Sequence, residues 1–346
     1  TQFPYLTADD VFQPFIIRTA FPVDDRSYFM GNYPNANKNG YSYLLPLKKE
    51  IFKYLSLDTI CGKTSGVHAT NVFELRDAGT GVEAIIRLPI QKDKYITLRR
   101  IYHEIDEPNV EQNKGAVVVC TFDLYLYPSY HIVNADNIDK PQRVYLLDGD
   151  WRNLTKYYDY SVEVFKAEQG IGDNLVYSVI KREDKSINSL TSKVFVAKNE
   201  FDVIKVSNGF AEGMLIPQYA HVSNGPDAFE FAIDFGTTNT HVEYQVNNGQ
   251  VTHPLEMSAS NSAVLSLHSF NSYYQELFVN REIEVFLEAP IQEFMPVAFG
   301  AQEMTGFPLR TNICVSKSNA QNEGQSIRTK ITLGDYSIGF HYERKQ

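Results

Sequence analysis

Residues 230–244 read EFAIDFGTTNTHVEY, an apolar strand, a glycine turn and a second strand. The strand Phe231-Ala232-Ile233 delivers Asp234 to its end, in a position expected to be partly desolvated. A carboxylate there needs a partner, and the hydrated Mg²⁺ of a bound nucleotide suits it. Gly236 permits a tight turn and a close approach of backbone to phosphate. Thr237 and Thr238 add hydroxyls beside the N–H groups of that turn, making a small anion cradle. The same residues also read as an ordinary hairpin whose Asp and Thr side chains cap neighbouring backbone.

Upstream, His221–Ala228 reads HVSNGPDA, and Ser223-Asn224-Gly225-Pro226 is strong loop chemistry. A domain border is therefore expected there, giving a β-rich domain over 1–225 and a second over 226–346. Downstream, Thr240–Val246 is the returning strand, and Asn247-Asn248-Gly249 turns into a third over Gln250–Pro254. Ser272–Glu288 carries Tyr273, Leu277, Phe278, Ile283, Phe286 and Leu287 on one face, as a helix or a strand. Ile327–Tyr342 alternates apolar and polar residues and predicts a hairpin around Gly334-Asp335.

Over residues 1–225 the pattern is also mainly β. Asn71–Arg76 and Val82–Leu88 flank Asp77-Ala78-Gly79-Thr80-Gly81, a glycine-bearing hairpin signal. Lys94–Tyr102 adds a third strand, and Gly115–Tyr127 is a long apolar run that Pro128 ends. Gln142–Leu147, Tyr160–Ala167, Leu175–Lys181, Ser192–Ala197 and Phe201–Val206 follow at the spacing of a β-sandwich. One helix is expected, Leu47–Leu55, with Leu47, Ile51, Tyr54 and Leu55 on one face and Pro46 at its start. The fold class is thus mainly β with some α.

The 346 residues carry a net charge of −10, which argues against a nucleic-acid partner, since such binders need a basic face. The three cysteines at 61, 120 and 314 have no metal-ligand or disulfide-framework spacing. No run approaches the roughly 18–20 apolar residues that span a bilayer. No membrane partner and a cytoplasmic location are expected. The 22 tyrosines and 22 phenylalanines favour strand packing; the aromatic residues over 120–160 read as sandwich core and rim, with the lining of a peptide or sugar groove as the alternative.

The pattern apolar-Asp-Phe-Gly-Thr-Thr-Asn-Thr resembles the first phosphate-binding hairpin of the actin, DnaK-type chaperone and sugar-kinase ATPases. The resemblance implies ATP or ADP with Mg²⁺, held through water by Asp234 and by the turn Gly236, Thr237 and Thr238, with Asn239 and Thr240 at further matching positions. Phe294–Phe299 is similar to a proline-containing strand of the chaperone-like branch. The family's second hairpin and adenosine segment do not follow. The resemblance therefore implies the opening sheet portion of an actin-like fold: an N-terminal fragment of a larger ATP-binding protein, inactive by itself, whose β domain recognises a protein partner. The other reading is a β-rich binding or structural protein with no nucleotide role.

Other motifs carry less. Cys61-Gly62-Lys63-Thr64-Ser65 contains GKT, but Leu57 stands where a phosphate loop needs its first glycine. His103-Glu104 lacks the second histidine of a zinc-protease motif. Asp148-Gly149-Asp150 reads as a strand-end turn.

Overall fold

The structure, a computed structural model, describes residues 5–31, 33, 40–66, 68–91, 93–105, 108–133, 142–148, 160–169, 177–182, 191–223, 225–235, 239–255, 265–268, 309–316, 329–333 and 336–343. It is mainly β with a little α, as the sequence predicts. Two short helices, α1 (Ala8–Val11) and α2 (Leu57–Cys61), precede most of the sheet. The first strands are β1 (Phe15–Thr19), β2 (Tyr28–Phe29), β3 (Phe73–Asp77), β4 (Gly81–Gln91), β5 (Lys94–His103), β6 (Lys114–Cys120) and β7 (Phe122–Tyr127). Next come β8 (Tyr130–Val133), β9 (Gln142–Asp148), β10 (Ser161–Phe165), β11 (Tyr177–Arg182), β12 (Thr191–Ala197), β13 (Val203–Ser207) and β14 (Glu212–Pro217). The last are β15 (Ala220–Ser223), β16 (Phe229–Phe235), β17 (Asn239–Val246), β18 (His253–Pro254), β19 (Leu265–Ser266), β20 (Leu309–Ser316), β21 (Thr329–Leu333) and β22 (Tyr336–Glu343).

The chain forms two compact units. One takes residues Thr1–Leu126, Asp139–Tyr219 and Ser266–Ser269; the other takes Tyr127–Ile138, Ala220–Leu265 and Phe270–Gln346. In the first unit one sheet runs β1-β6-β5-β4-β3, a second β10-β13-β14-β2, and a third β11-β12-β9-β7-β19. The predicted hairpin at 77–81 is present as β3 and β4. Its turn is held by Asp77 Oδ1, which accepts from Gly79 N at 2.8 Å, with Gly79 at φ 79°. Beyond β5 the ladder becomes parallel, β5 to β6 and β6 to β1.

The long run Gly115–Tyr127 is two strands rather than one. It breaks at Thr121 and passes from the first sheet to the third. β7 is buried along nearly its whole length and β6 is buried at Gly115, Ala116 and Cys120, with Val119 exposed; both read as one apolar run, and composition alone does not mark the switch.

The core of this unit gathers Phe12, Ile16, Leu45, Phe73, Tyr102 and Met214, all at most 3% exposed. The helix expected over Leu47–Leu55 is a shorter 3-10 turn, Lys49–Lys53. Leu47 instead bridges Phe12 as extended backbone. Leu47, Ile51 and Leu55 are buried as expected, but Tyr54 is 57% exposed, off the face assigned to it. Tyr54 caps the turn, its N–H donating to the Ile51 carbonyl at 2.9 Å.

Two buried polar centres tie the unit together. Arg100, on β5, is 1% exposed; it donates through Nη1 to the carbonyls of Phe12 (3.3 Å) and Gln13 (3.2 Å) and pairs with Asp9 through Nη2. Asp123, on β7, is also 1% exposed. Its Oδ1 accepts from Leu124 N at 2.8 Å and its Oδ2 from Tyr125 Oη at 3.0 Å. Nearby, the ring nitrogens of buried His268 each face a backbone carbonyl at 3.0 Å, those of Pro22 and Phe122.

Burial pushes the Asp123 carboxyl above its ordinary range, against the opposing pull of His268 and of its two hydrogen bonds. The folded protein therefore holds this proton more tightly than the unfolded chain does. Stability contributed by Asp123 is largest below the ordinary carboxylate range and is lost as pH rises toward the raised value. In urea unfolding across a pH series, Asp123→Asn is expected to remove that falling component. The variant then matches or exceeds the parent at neutral pH. A variant less stable at neutral pH, with an unchanged pH slope, would refute this.

In the second unit β8 and β15 pair in parallel. A six-stranded sheet runs β16-β17-β20-β22-β21, with β18 also on β17. The predicted tail hairpin is present as β21 and β22; its Gly334-Asp335 turn lies outside the described residues. So do Ser272–Glu288 and Phe294–Phe299. Among the described residues no helix is long and apolar enough to cross a membrane.

Candidate functional site

The hairpin read from the sequence is formed. β16 and β17 pair antiparallel in unbroken register from Phe229↔Val246 to Phe235↔Thr240. Its open end is fastened where Ala228 N donates to Asn247 Oδ1 and Asn247 Nδ2 donates to Asp227 Oδ1, at 2.8 and 2.7 Å. Asn247 and Asn248, at φ 53° and 55°, make a two-residue turn of the type that matches strand twist. Gly249 N closes it on the carbonyl of Val246 at 2.9 Å.

Directly opposed residues share a face, so the register sorts the side chains. Phe229, Phe231 and Ile233 lie with Val246, Tyr244 and Val242. The other face holds Glu230, Ala232 and Asp234 with Gln245, Glu243 and His241. On the first, the Phe229, Phe231 and Tyr244 rings are mutual neighbours at 5.9–6.3 Å, and His253 stands 5.6 Å from Tyr244.

This face corrects the expectation of a buried strand. Phe229, Phe231 and Ile233 are 55, 53 and 65% exposed. The apolar content of β16 coats one surface of a sheet edge instead of entering a core. Asp234 is likewise exposed, not partly desolvated, and sits one residue before the strand's end. Its neighbours on the second face are carboxylates. His241 Nε2 lies 3.0 Å from Glu243 Oε1 and, by that hydrogen bond, holds the Glu243 carboxyl below its ordinary range. Glu230 accepts from Gln245.

Of the residues expected to hold nucleotide, Gly236, Thr237 and Thr238 lie outside the described residues. Asn239 and Thr240 open β17, where they pair with Arg310 and Leu309. Among the described residues no three His, Cys, Asp or Glu side chains come together as a metal site. From Val206 to Asn280 the sequence contains no Lys or Arg, while Asp227, Glu230, Asp234 and Glu243 fall within it. An anionic phosphate chain needs cations or directed N–H groups. On this face the described positions near Asp234 are Glu230, Glu243 and His241, with Arg310 in register opposite Asn239; the turn whose N–H groups would meet a phosphate, Gly236–Thr238, lies outside the described residues.

Cys61 is pushed up to about 12 by burial and by Asp58, which leaves no thiolate for nucleophilic work at neutral pH. Gly62 follows α2 and donates to Thr59 O at 3.2 Å, so the GKT segment is a helix end and turn. A shallow cleft lined by Gln13, Phe15, Phe210 and Glu212 has its carboxylate occupied, by Gln13 Nε2 at 3.2 Å and Lys205 Nζ at 3.3 Å. The sequence reading missed the exposed aromatic face. The strict alternation of Phe229, Phe231 and Ile233 with Glu230 and Asp234 was its only signal.

Compared with protein-family models, with curated proteins and with solved structures, the chain matches none of them.

Proposed function

We propose that the chain is a β-rich binding protein that presents the aromatic face of the β16–β17 hairpin to a protein partner. The observation that carries this reading is the exposure of Phe229, Phe231 and Ile233 side by side on one strand. Contiguous exposed apolar surface rimmed by polar residues marks interaction sites. The acidic second face supports binding in preference to phosphate chemistry. The motif Asp234-Phe235-Gly236-Thr237-Thr238-Asn239-Thr240 between two antiparallel strands favours a second reading. In that reading the hairpin is the first phosphate loop of an actin-like ATPase that binds ATP or ADP with Mg²⁺.

Thermal unfolding separates the two. Phe231→Ser with Ile233→Ser is expected to leave Tm nearly unchanged, because exposed substitutions usually stay within about 0.5 kcal/mol. If the chain itself covered the face, losing two buried apolar side chains would cost about 4 kcal/mol or more. Such a fall in Tm would sink the binding-surface reading. Mg-ATP is expected to leave the Tm of both the parent and Asp234→Asn where it is. A Mg-dependent rise that Asp234→Asn abolishes would establish the phosphate-loop reading instead.

A further inference from the structure

The edge of the hairpin specifies the partner more closely than its face does. β16 is seven residues long and, among the described residues, pairs along one side only, with β17. Among the described residues, its outer side therefore offers a row of backbone donors and acceptors. Natural edge strands are blunted by lysine, proline, bulges or very short length. β16 has no lysine, proline or glycine, and its register with β17 runs through without a bulge. One of its faces is aromatic and the other acidic, in strict alternation.

A strand laid along this edge must continue both faces. Its side chains alternate as those of β16 do. Those falling beside Phe229, Phe231 and Ile233 extend an apolar surface. Those falling beside Glu230 and Asp234 enter a field that also contains Glu243; the sequence has no Lys or Arg from 206 to 280, and Arg310, in register opposite Asn239, belongs to β20 on the side of β17 away from β16. A second copy of β16 is poorly suited, because it adds its own Glu230 and Asp234 to the same face, and like charges brought opposite one another are destabilising. Basic residues at alternate positions satisfy the field.

We infer that the free edge of β16 receives an extended segment of a partner protein in which basic and apolar residues alternate. The segment adds to the sheet as a further strand. This rests on the binding-protein reading above and names the partner's chemistry. Backbone hydrogen bonds along the edge supply sequence-independent affinity. Glu230 and Asp234 supply selectivity for basic side chains, and the aromatic row selects the apolar ones.

The probes are three end-blocked seven-residue peptides, matched in length to β16. One alternates lysine and valine, one has the same composition with the lysines and valines in two blocks, and one alternates glutamate and valine. Binding to the full chain is read by calorimetry, and the site by amide hydrogen exchange. The alternating lysine peptide is expected to bind at least about tenfold more tightly than the block peptide, a difference of about 1.4 kcal/mol. It should protect amides of β16 and weaken as salt rises. Glu230→Lys with Asp234→Lys, both at exposed positions, is expected to invert the preference toward the glutamate peptide.

Equal binding of the block and alternating peptides would reduce the effect to bulk charge and overturn the inference. So would an unchanged preference in the charge-reversed variant, or protection away from β16. A parent dimer in sedimentation whose interface amides map to β16 would assign the edge to a second copy, against the proposal. These failures stand apart from failure of the underlying reading, which the Phe231→Ser and Ile233→Ser melt decides without any peptide.

Discussion

Gly115→Ala is expected to destabilise the first unit by about 3 kcal/mol, the upper range for overpacking a filled site, which lowers Tm by roughly 6–12 °C. Gly115 is buried in β6, between β1 and β5. A methyl group there would lie 2.5 Å from the Pro14 carbonyl oxygen on one side and 2.6 Å from the Tyr102 ring on the other. Neither neighbour yields easily. Pro14 is fixed backbone, and Tyr102 is fully buried, directly opposite Gly115 in register, with its hydroxyl donating to Gln13 O at 2.8 Å. Glycine is required because an aromatic side chain from the next strand occupies the place of its own. A calorimetric loss below about 1 kcal/mol would mean that the Tyr102 ring has room to move, and the account would fail.

The second large effect is expected at Arg100. Its guanidinium is a buried charge whose Nε has no hydrogen-bond partner among the described residues. Its two outer nitrogens serve the Phe12 and Gln13 carbonyls and Asp9. Arg100→Met keeps much of the volume but strands the Phe12 carbonyl, leaves Gln13 O with Tyr102 Oη alone and takes the partner from Asp9, and a cost of about 3 kcal/mol follows from removing one side of such a network. Arg100→Lys should fare little better, since an ammonium cannot fork to two carbonyls and a carboxylate in one plane. Asp9→Asn should cost less than about 1 kcal/mol, because Asp9 is 58% exposed, so solvent screens its charge, and the Asn Oδ1 still accepts from Arg100 Nη2. Urea unfolding of the three variants tests the ranking. If Asp9→Asn equals Arg100→Met, the ion pair and not the carbonyl contacts holds the α1 segment to the sheet.

Much of the strand content was legible because local chemistry announces it. Asp77 caps its own turn, and Asn247-Asn248 adopts the positive φ angles that asparagine tolerates. Strands whose partners are remote were harder. β1 pairs in parallel with β6, about a hundred residues later, and nothing near Phe15–Thr19 announces it. The same limit hid the change of sheet at Thr121.

At Leu47–Leu55 the burial of Leu47, Ile51 and Leu55 was readable from their spacing, but only Ile51 lies within the 3-10 turn Lys49–Lys53; Leu47 is buried from the extended backbone before it and Leu55 from the segment after it. The candidate site was legible as a hairpin and misjudged as buried. A strand of alternating Phe and acid declares one apolar face, but only tertiary structure decides whether anything covers it. For the actin-like resemblance, the turn over Gly236–Thr238 is the part that would bear on phosphate, and it lies outside the described residues.

The return of Ser266–Ser269 to the first unit also fixes an order of events in time. His268 meets the Pro22 carbonyl across 246 residues of chain and the Phe122 carbonyl across 146. Leu267 N reaches back to Leu124 O, and Asp24 N to Leu267 O. While the protein is being made, everything up to Tyr219 is on hand before these four residues arrive. At about 10 residues per second the wait is several seconds. Throughout it β7, flanked among the described residues by β9 alone, is an unfinished margin of the third sheet. The ribosome, by holding residue 268 back, sets the earliest moment at which the first unit is whole.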